Sequence, residues 1–132
     1  MTIVRTPLVV GNWKMNGAFD ANQSLLESLL RELAQKRLPE IGVCPPFPYI
    51  AQVGALLANA PIVWGAQTVS EHRCGAYTGQ VSASMLKELG CAYVIVGHSE
   101  RRQYCAETDD GVARQAVAAL DNGLMPIMCV GE

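Results

Sequence analysis

The stretch VIVGHSERR at residues 94–102 decides the fold. Its first residues are apolar and β-branched, which predicts a short buried strand. Gly97 then allows the backbone to turn, and a polar, charged segment follows in which a helical turn is expected. A strand that leads through a tight turn into a helix is the unit from which parallel α/β folds are built.

His98 stands at the expected beginning of that helical turn. The positive end of a helix dipole disfavours the imidazolium form of a nearby histidine. A neutral imidazole can donate a hydrogen bond to a substrate oxygen and can also accept a proton. The alternative is a surface histidine followed by a charged helix start, and this pattern alone does not decide between the two.

Apolar strand segments alternate with helical segments on both sides of this stretch. Strands are predicted at residues 8–10, 41–44, 62–66, 91–96 and 125–130, and helices are predicted to begin near residues 20, 48, 82 and 108. This (βα)4β pattern with short connections predicts an α/β fold with a parallel sheet covered by helices. Periodicity alone does not distinguish a doubly wound sheet from part of a barrel.

Local residues predict where the helices begin and what they bury. Asp20, with Gln23 three residues later, resembles a capping box. Thr108 is a suitable N-cap because its hydroxyl can accept from the helix N-terminus. The helix after Thr108 is expected to bury four apolar side chains: Val112, Ala116, Val117 and Leu120.

Composition limits the class of protein. Half of the 132 residues are hydrophobic, which is enough to bury the core of one domain, and the net charge of −2 argues against nucleic-acid or anionic-membrane binding. No apolar run approaches the roughly 18 residues of a membrane span, and no apolar block of a secretory signal is found near residue 1. The sequence contains no dinucleotide-binding or P-loop motif, so neither nucleotide-binding version of the fold is expected.

The cysteines and histidines suggest packing and a reducing compartment rather than a metal site. Five cysteines without a CxxC spacing favour the cytoplasm. Cys44, Cys91 and Cys129 lie in apolar runs, where they are expected to act as small hydrophobic residues of the strands. His72 and His98 have no neighbouring ligand set in the sequence, so no metal is expected.

Polar residues follow most of the predicted strands, and active sites of parallel α/β folds form beyond the carboxyl ends of strands. These residues are Asn12, Lys14, Gln67, His98, Glu100 and Glu132. Each alone could be an ordinary turn or surface residue, but together they can bind and polarise a small anionic, oxygen-bearing substrate. Glu100 is expected to pair with Lys14 rather than act as a base, because a carboxylate near an ammonium stays ionised.

Two further features need an explanation. The segment 67–80 has no periodicity and is longer than most connections, so a functional role is proposed for it. Arg101 and Arg102 can form ion pairs with Glu107 and Asp109, which contribute little if they are exposed.

Four motifs together resemble the triosephosphate isomerase family: GNWKMNG at 11–17, GAYTG at 75–79, the stretch at 94–102 and CVGE at 129–132. They match in order and spacing, and the resemblance covers the entire chain. It implies a (β/α)8 barrel. Residues 1–132 would be the N-terminal half of this barrel, with strands one to five, and therefore a single incomplete domain. It also implies interconversion of dihydroxyacetone phosphate and glyceraldehyde 3-phosphate through an enediolate, in glycolysis and gluconeogenesis, without a cofactor.

The resemblance assigns roles to the residues at the carboxyl ends of strands one and four. Lys14 matches the family's substrate-binding cation, which is also catalytic, and Asn12 matches a residue that shapes the pocket and helps to bind substrate. His98 matches the electrophile, and the family is a standard example of a histidine kept neutral by a helix N-terminus. Ser99 and Glu100 match supporting residues, and Glu100 is also catalytic in the family.

The resemblance further implies a cytoplasmic homodimer. Cys129 and Glu132 match supporting positions after strand five. The dimerisation loop corresponds to five residues of the segment 67–80: Gly75, Ala76, Tyr77, Thr78 and Gly79. Thr78 is expected to reach toward the partner's active site.

The family's catalytic glutamate follows strand six and lies beyond these 132 residues. Little or no isomerase activity is therefore expected from the isolated chain, which contains the electrophile and the cation but no base. The alternative is a non-catalytic half-barrel module for folding or self-assembly. Self-association could then occur through the open edges of strands one and five, because unpaired edge strands recruit other chains.

Overall fold

The computed structural model describes residues 2–33 and 39–131. Five strands form a single parallel sheet in which each strand pairs with the next one along the chain. They are β1 (Leu8–Asn12), β2 (Glu40–Cys44), β3 (Ile62–Ala66), β4 (Tyr93–Val96) and β5 (Met125–Met128). The predicted (βα)4β order and the parallel sheet are confirmed.

Helices connect successive strands and cover the sheet. They are α1 (Phe19–Leu33), α2 (Ile50–Leu57), α3 (Ala83–Glu88), α4 (Ser99–Tyr104) and α5 (Asp109–Asp121), and a 3-10 turn (Phe47–Tyr49) precedes α2. The short helix α4 is the helical turn expected after His98. Across residues 2–33 and 39–131, no helix combines the length and hydrophobicity needed to cross a membrane.

The core consists of two apolar clusters that meet at Trp64. Leu26 and Val53 belong to the cluster between α1, α2 and the first strands, and Val94 and Val112 belong to the cluster around β4 and α5. All four are at most 2% exposed, and complete burial of such a side chain stabilises a fold by about 1.5–3 kcal/mol. Trp64 is only partly buried and packs against both clusters.

The beginning of α1 differs from the sequence prediction. Asp20 is the second residue of α1 rather than its N-cap, because the helix begins at Phe19. The backbone N–H of Ala18 donates instead to Asn22 Oδ1 at 3.3 Å, and Gln23 donates from Nε2 to Glu27 Oε1 at 3.0 Å. The predicted capping box is therefore wrong.

The buried face of α5 is narrower than predicted. Val112 and Ala116 are buried as expected, and Ala119 is the third buried residue of the stripe. Val117 and Leu120 are more than half exposed, at 56% and 57%. Each follows a buried residue directly and is therefore rotated about 100° away from the stripe that faces the sheet.

The three cysteines expected in strands differ in burial. Cys44 ends β2 and Cys91 precedes β4, and both are buried. Burial raises the pKa of the Cys44 thiol to about 12 and that of the Cys91 thiol to about 11, so both are neutral at physiological pH. Cys129 is only partly buried and lies just after β5, so the prediction that it belongs to the strand core is wrong.

The cap of α5 supports a quantitative prediction. Thr108 Oγ1 accepts a hydrogen bond from the backbone N–H of Gly111 at 3.2 Å, as the sequence predicted. The substitution Thr108→Ala removes this acceptor and is expected to lower the free energy of unfolding by about 1 kcal/mol in urea denaturation. The exposed Thr6→Ala serves as the matched control, and equal losses in both variants would contradict a capping role.

Candidate active site

Five polar side chains from the carboxyl ends of β1, β3 and β4 form one cluster at this rim of the sheet. They are Asn12, Lys14, Gln67, His98 and Glu100. Lys14 Nζ donates to Glu100 Oε1 at 2.8 Å, which is the ion pair that the sequence predicted. The side chains of this pair are about half exposed, so an ammonium and a carboxylate face solvent together.

The backbone of Lys14 is strained and is held by two side chains. Its φ of +55° lies in the left-handed region, which is uncommon for any residue other than glycine. Asn12 Oδ1 accepts from the Lys14 backbone N–H at 2.9 Å, and Gln67 Nε2 donates to the Lys14 carbonyl oxygen at 2.8 Å. Such conformations persist only where the surroundings enforce them, and they concentrate at functional sites.

His98 caps α4 with its own side chain. Its Nδ1 accepts a hydrogen bond from the backbone N–H of Glu100 at 3.2 Å. An accepting Nδ1 carries no proton, so the single proton of a neutral ring lies on Nε2 and can be donated to a substrate. The carboxylate Oε2 of Glu100 is 3.6 Å from Nδ1, which is beyond hydrogen-bond distance, so the backbone contact determines the tautomer.

Glu100 is held in its ionised form. The hydrogen bond from Lys14 lowers the pKa of the Glu100 carboxyl, desolvation partly opposes this, and the positive charge of Lys14 lowers the pKa further. The carboxylate therefore keeps its partner at neutral pH and loses it only as the pH falls through this lowered pKa. A carboxylate with a lowered pKa is a weak base, which agrees with the expectation that Glu100 pairs with Lys14 rather than acting as a base.

Arg102 connects the turn after β4 to the end of β5, a role that sequence reasoning missed. Its Nε donates to the Gly97 carbonyl at 2.8 Å, and its guanidinium also donates to the Cys129 carbonyl at 3.2 Å and to Asp109 at 2.5 Å. Only the pairing with Asp109 was predicted. Ser99 is the exposed first residue of α4 and lies beside this turn.

The segment 67–80 is anchored at its base and exposed at its tip. Arg114 of α5 forms an ion pair with Glu71. The rings of His72 and Tyr77 stack with centroids 3.7 Å apart, which stiffens the loop beside the exposed Thr78. Gly75, Ala76 and Gly79 are exposed as well.

Glu132, which was predicted as a supporting residue, lies outside the described residues. A cleft of about 790 Å³ between α3 and α5 contains none of the five polar side chains of the rim cluster, so the chemistry of that cluster is separate from it.

A family model described as triosephosphate isomerase matches residues 7–132. The chain belongs to the triosephosphate isomerase family. Triosephosphate isomerase of Nitrosococcus oceani is 54% identical over 129 residues, which are 98% of this chain and 52% of that protein. Triosephosphate isomerase of Bordetella pertussis is 55% identical over 128 residues, which are 97% of this chain and 51% of that protein.

The structural comparison agrees. The crystal structure of triosephosphate isomerase from Bartonella henselae has a TM-score of 0.90 and 38% sequence identity, and the match covers 97% of this chain and 53% of that one. The five parallel strands are therefore part of a triosephosphate isomerase barrel, as the resemblance implied. The chain spans about half the length of the curated relatives it matches.

Proposed function

We propose that this chain is the N-terminal half of an enzyme that interconverts dihydroxyacetone phosphate and glyceraldehyde 3-phosphate through an enediolate. The observation that carries the proposal is the arrangement of Lys14, Glu100 and His98 at one rim of the sheet, in a chain whose relatives are named triosephosphate isomerase. The reaction belongs to glycolysis and gluconeogenesis, and we place the enzyme in the cytoplasm. No cofactor is needed, because the reaction only moves protons between neighbouring carbon and oxygen atoms.

The side chains of the rim suit the charge that develops in this reaction. Removal of a proton beside the carbonyl leaves negative charge on the substrate oxygen. Nε2–H of His98 donates to that oxygen, and the ammonium of Lys14 supplies positive charge to the oxygen and to the phosphate. Donors that are fixed in advance stabilise such charge more than water does. Asn12 contributes by fixing the backbone of Lys14.

His98 also suits the proton shuttle. As a neutral ring it donates the Nε2 proton to one oxygen of the enediolate and takes a proton back from the other oxygen. Glu100 is not the base that attacks the carbon, because Lys14 holds its carboxylate in an ion pair. We assign the base to the family's glutamate after strand six, which lies beyond these 132 residues.

We also propose that the complete enzyme is a homodimer with the loop 75–79 at its interface. Thr78 and Tyr77 are exposed at the tip of this loop, while Arg114 anchors its base through Glu71. A loop that is fixed by an ion pair at its base and exposed at its tip is preorganised for contact with a second subunit.

A second candidate function applies to the 132-residue polypeptide by itself, as a non-catalytic assembly module. The strands β1 and β5 form the two edges of the sheet. Val9 on β1 and Met125 on β5 are each 57% exposed. Edge strands that carry exposed apolar residues favour pairing with other chains, so this candidate predicts oligomers in sedimentation experiments.

The isomerase proposal is tested in a hybrid in which residues 1–132 are joined to the second half of the Nitrosococcus oceani relative. We expect the hybrid to be active and Lys14→Met to lower kcat/KM by about 10²–10³, because a charged donor to the developing oxyanion is lost. The control is Lys87→Met, because Lys87 donates to the Gly123 carbonyl on the outer surface. An inactive but folded hybrid, or equal activity in both variants, would argue against the proposal.

A further inference from the structure

Gln67 makes two hydrogen bonds that link three strand ends. It directly follows β3, and its Nε2 donates to the carbonyl oxygen of Lys14 at 2.8 Å and to that of Cys44 at 2.9 Å. A side-chain amide has two N–H donors, so both are used here. The side chain is partly buried, and it connects the loop after β1 to the ends of β2 and β3.

One of these two bonds is to the residue with the most strained backbone of the candidate site, Lys14. Lys14 has a φ of +55°, and its N–H is held by Asn12 Oδ1 at 2.9 Å. Its carbonyl is held by Gln67, so side chains fix the peptide groups on both sides of its Cα. A residue in the left-handed region relaxes when such restraints are removed. Rotation of this backbone would redirect the whole side chain of Lys14.

We propose that Gln67 is a positioning residue, which holds Lys14 in the left-handed conformation that places its ammonium beside Glu100 and the substrate. The effect on catalysis rests on the proposed function. The effect on the geometry of Lys14 does not, since it follows from the hydrogen bonds. If Gln67 only linked the strands, its loss would affect stability alone. The tests therefore measure quantities that depend on the position of the Lys14 side chain.

The first test is an NMR titration of Glu100 in the 132-residue chain. Lys14 lowers the pKa of this carboxyl through a hydrogen bond, so the pKa reports where the ammonium lies. Gln67→Met keeps the length of the side chain and removes both donors. We expect the Glu100 pKa to rise toward its ordinary value in Gln67→Met. An unchanged Glu100 pKa would overturn the proposal.

The matched control is Gln52→Met. Gln52 Nε2 also donates to a backbone carbonyl, that of Phe19 at 2.8 Å, and both of its hydrogen-bond partners, Phe19 and Asn22, belong to α1. We expect the Glu100 pKa of Gln52→Met to equal that of the unsubstituted chain. Equal shifts in the two variants would show general loosening and would overturn the proposal.

The second test is kinetic and uses the hybrid enzyme. We expect Gln67→Met to raise KM for glyceraldehyde 3-phosphate, and the inhibition constant of inorganic phosphate, by about tenfold, since small displacements of a binding group are costly. Gln52→Met should leave both unchanged. Loss of thermal stability with unchanged KM would mean that Gln67 only stabilises the contact between strands, and it would overturn the proposed positioning role. An inactive hybrid would count against the proposed function, while the titration would still decide the role of Gln67.

Discussion

The isolated 132-residue chain is expected to isomerise glyceraldehyde 3-phosphate at least about 10²-fold more slowly than the hybrid enzyme. A positioned general base contributes about 10²–10⁴ in rate, and neither Lys14 nor the ion-paired Glu100 can replace it. The rim cluster is also open to solvent, so water reaches any reactive intermediate. The measurement is a coupled spectrophotometric assay of the purified chain and of the hybrid.

This experiment requires a control for contaminating host isomerase. The chain is therefore expressed in a host that lacks its own enzyme, and His98→Ala is assayed in parallel. Residual activity that persists in His98→Ala does not come from this site. Activity of the isolated chain near that of the hybrid, abolished by His98→Ala, would contradict the prediction and would mean that another residue or chain supplies the base.

In the hybrid enzyme, His98→Ala is expected to lower kcat by about 10²–10⁴, with a smaller change in KM. The Nε2 proton of His98 acts on charge that appears only after the substrate has bound, so its loss affects the chemical step. The contact between Nδ1 and the Glu100 backbone at 3.2 Å orients the ring for this role. Steady-state kinetics over a range of substrate concentrations separate the two constants.

The companion variant is His98→Gln, which separates polarisation from proton transfer. A glutamine amide can still donate a hydrogen bond, but it cannot pass a proton between the two oxygens of the enediolate. Its kcat is expected to lie between those of His98→Ala and the unsubstituted hybrid. A kcat for His98→Ala within tenfold of the unsubstituted hybrid, with the fold intact, would rule out the assigned role.

Much of the fold follows from local sequence. The predicted bounds of the third strand agree with Ile62–Ala66, because an apolar run between Pro61 and a polar segment leaves few alternatives. The cap at Thr108 was predicted because it depends on residues three apart. The ion pair of Lys14 with Glu100 was predicted because parallel strands bring their carboxyl ends to one rim.

The features that were missed depend on contacts between distant segments. The positive φ of Lys14 and the two bonds of Gln67 require three strands in register, which no local pattern encodes. The exposure of Val117 and Leu120 depends on which side of α5 meets the sheet, and apolar spacing alone did not determine this. Functional site geometry is accordingly less predictable than the order of strands and helices.

The strand order has a consequence for how the chain is made. Each of β2 to β5 pairs with the strand synthesised just before it, so these four pairings do not wait for a segment beyond β5. Pairing of neighbours along the chain gives a lower contact order than pairing of distant strands would, and folding is faster when contact order is lower. As the chain leaves the ribosome, each new βα unit can therefore add to an edge that already exists, and Gln67 reaches Lys14 and Cys44 as soon as β3 has emerged.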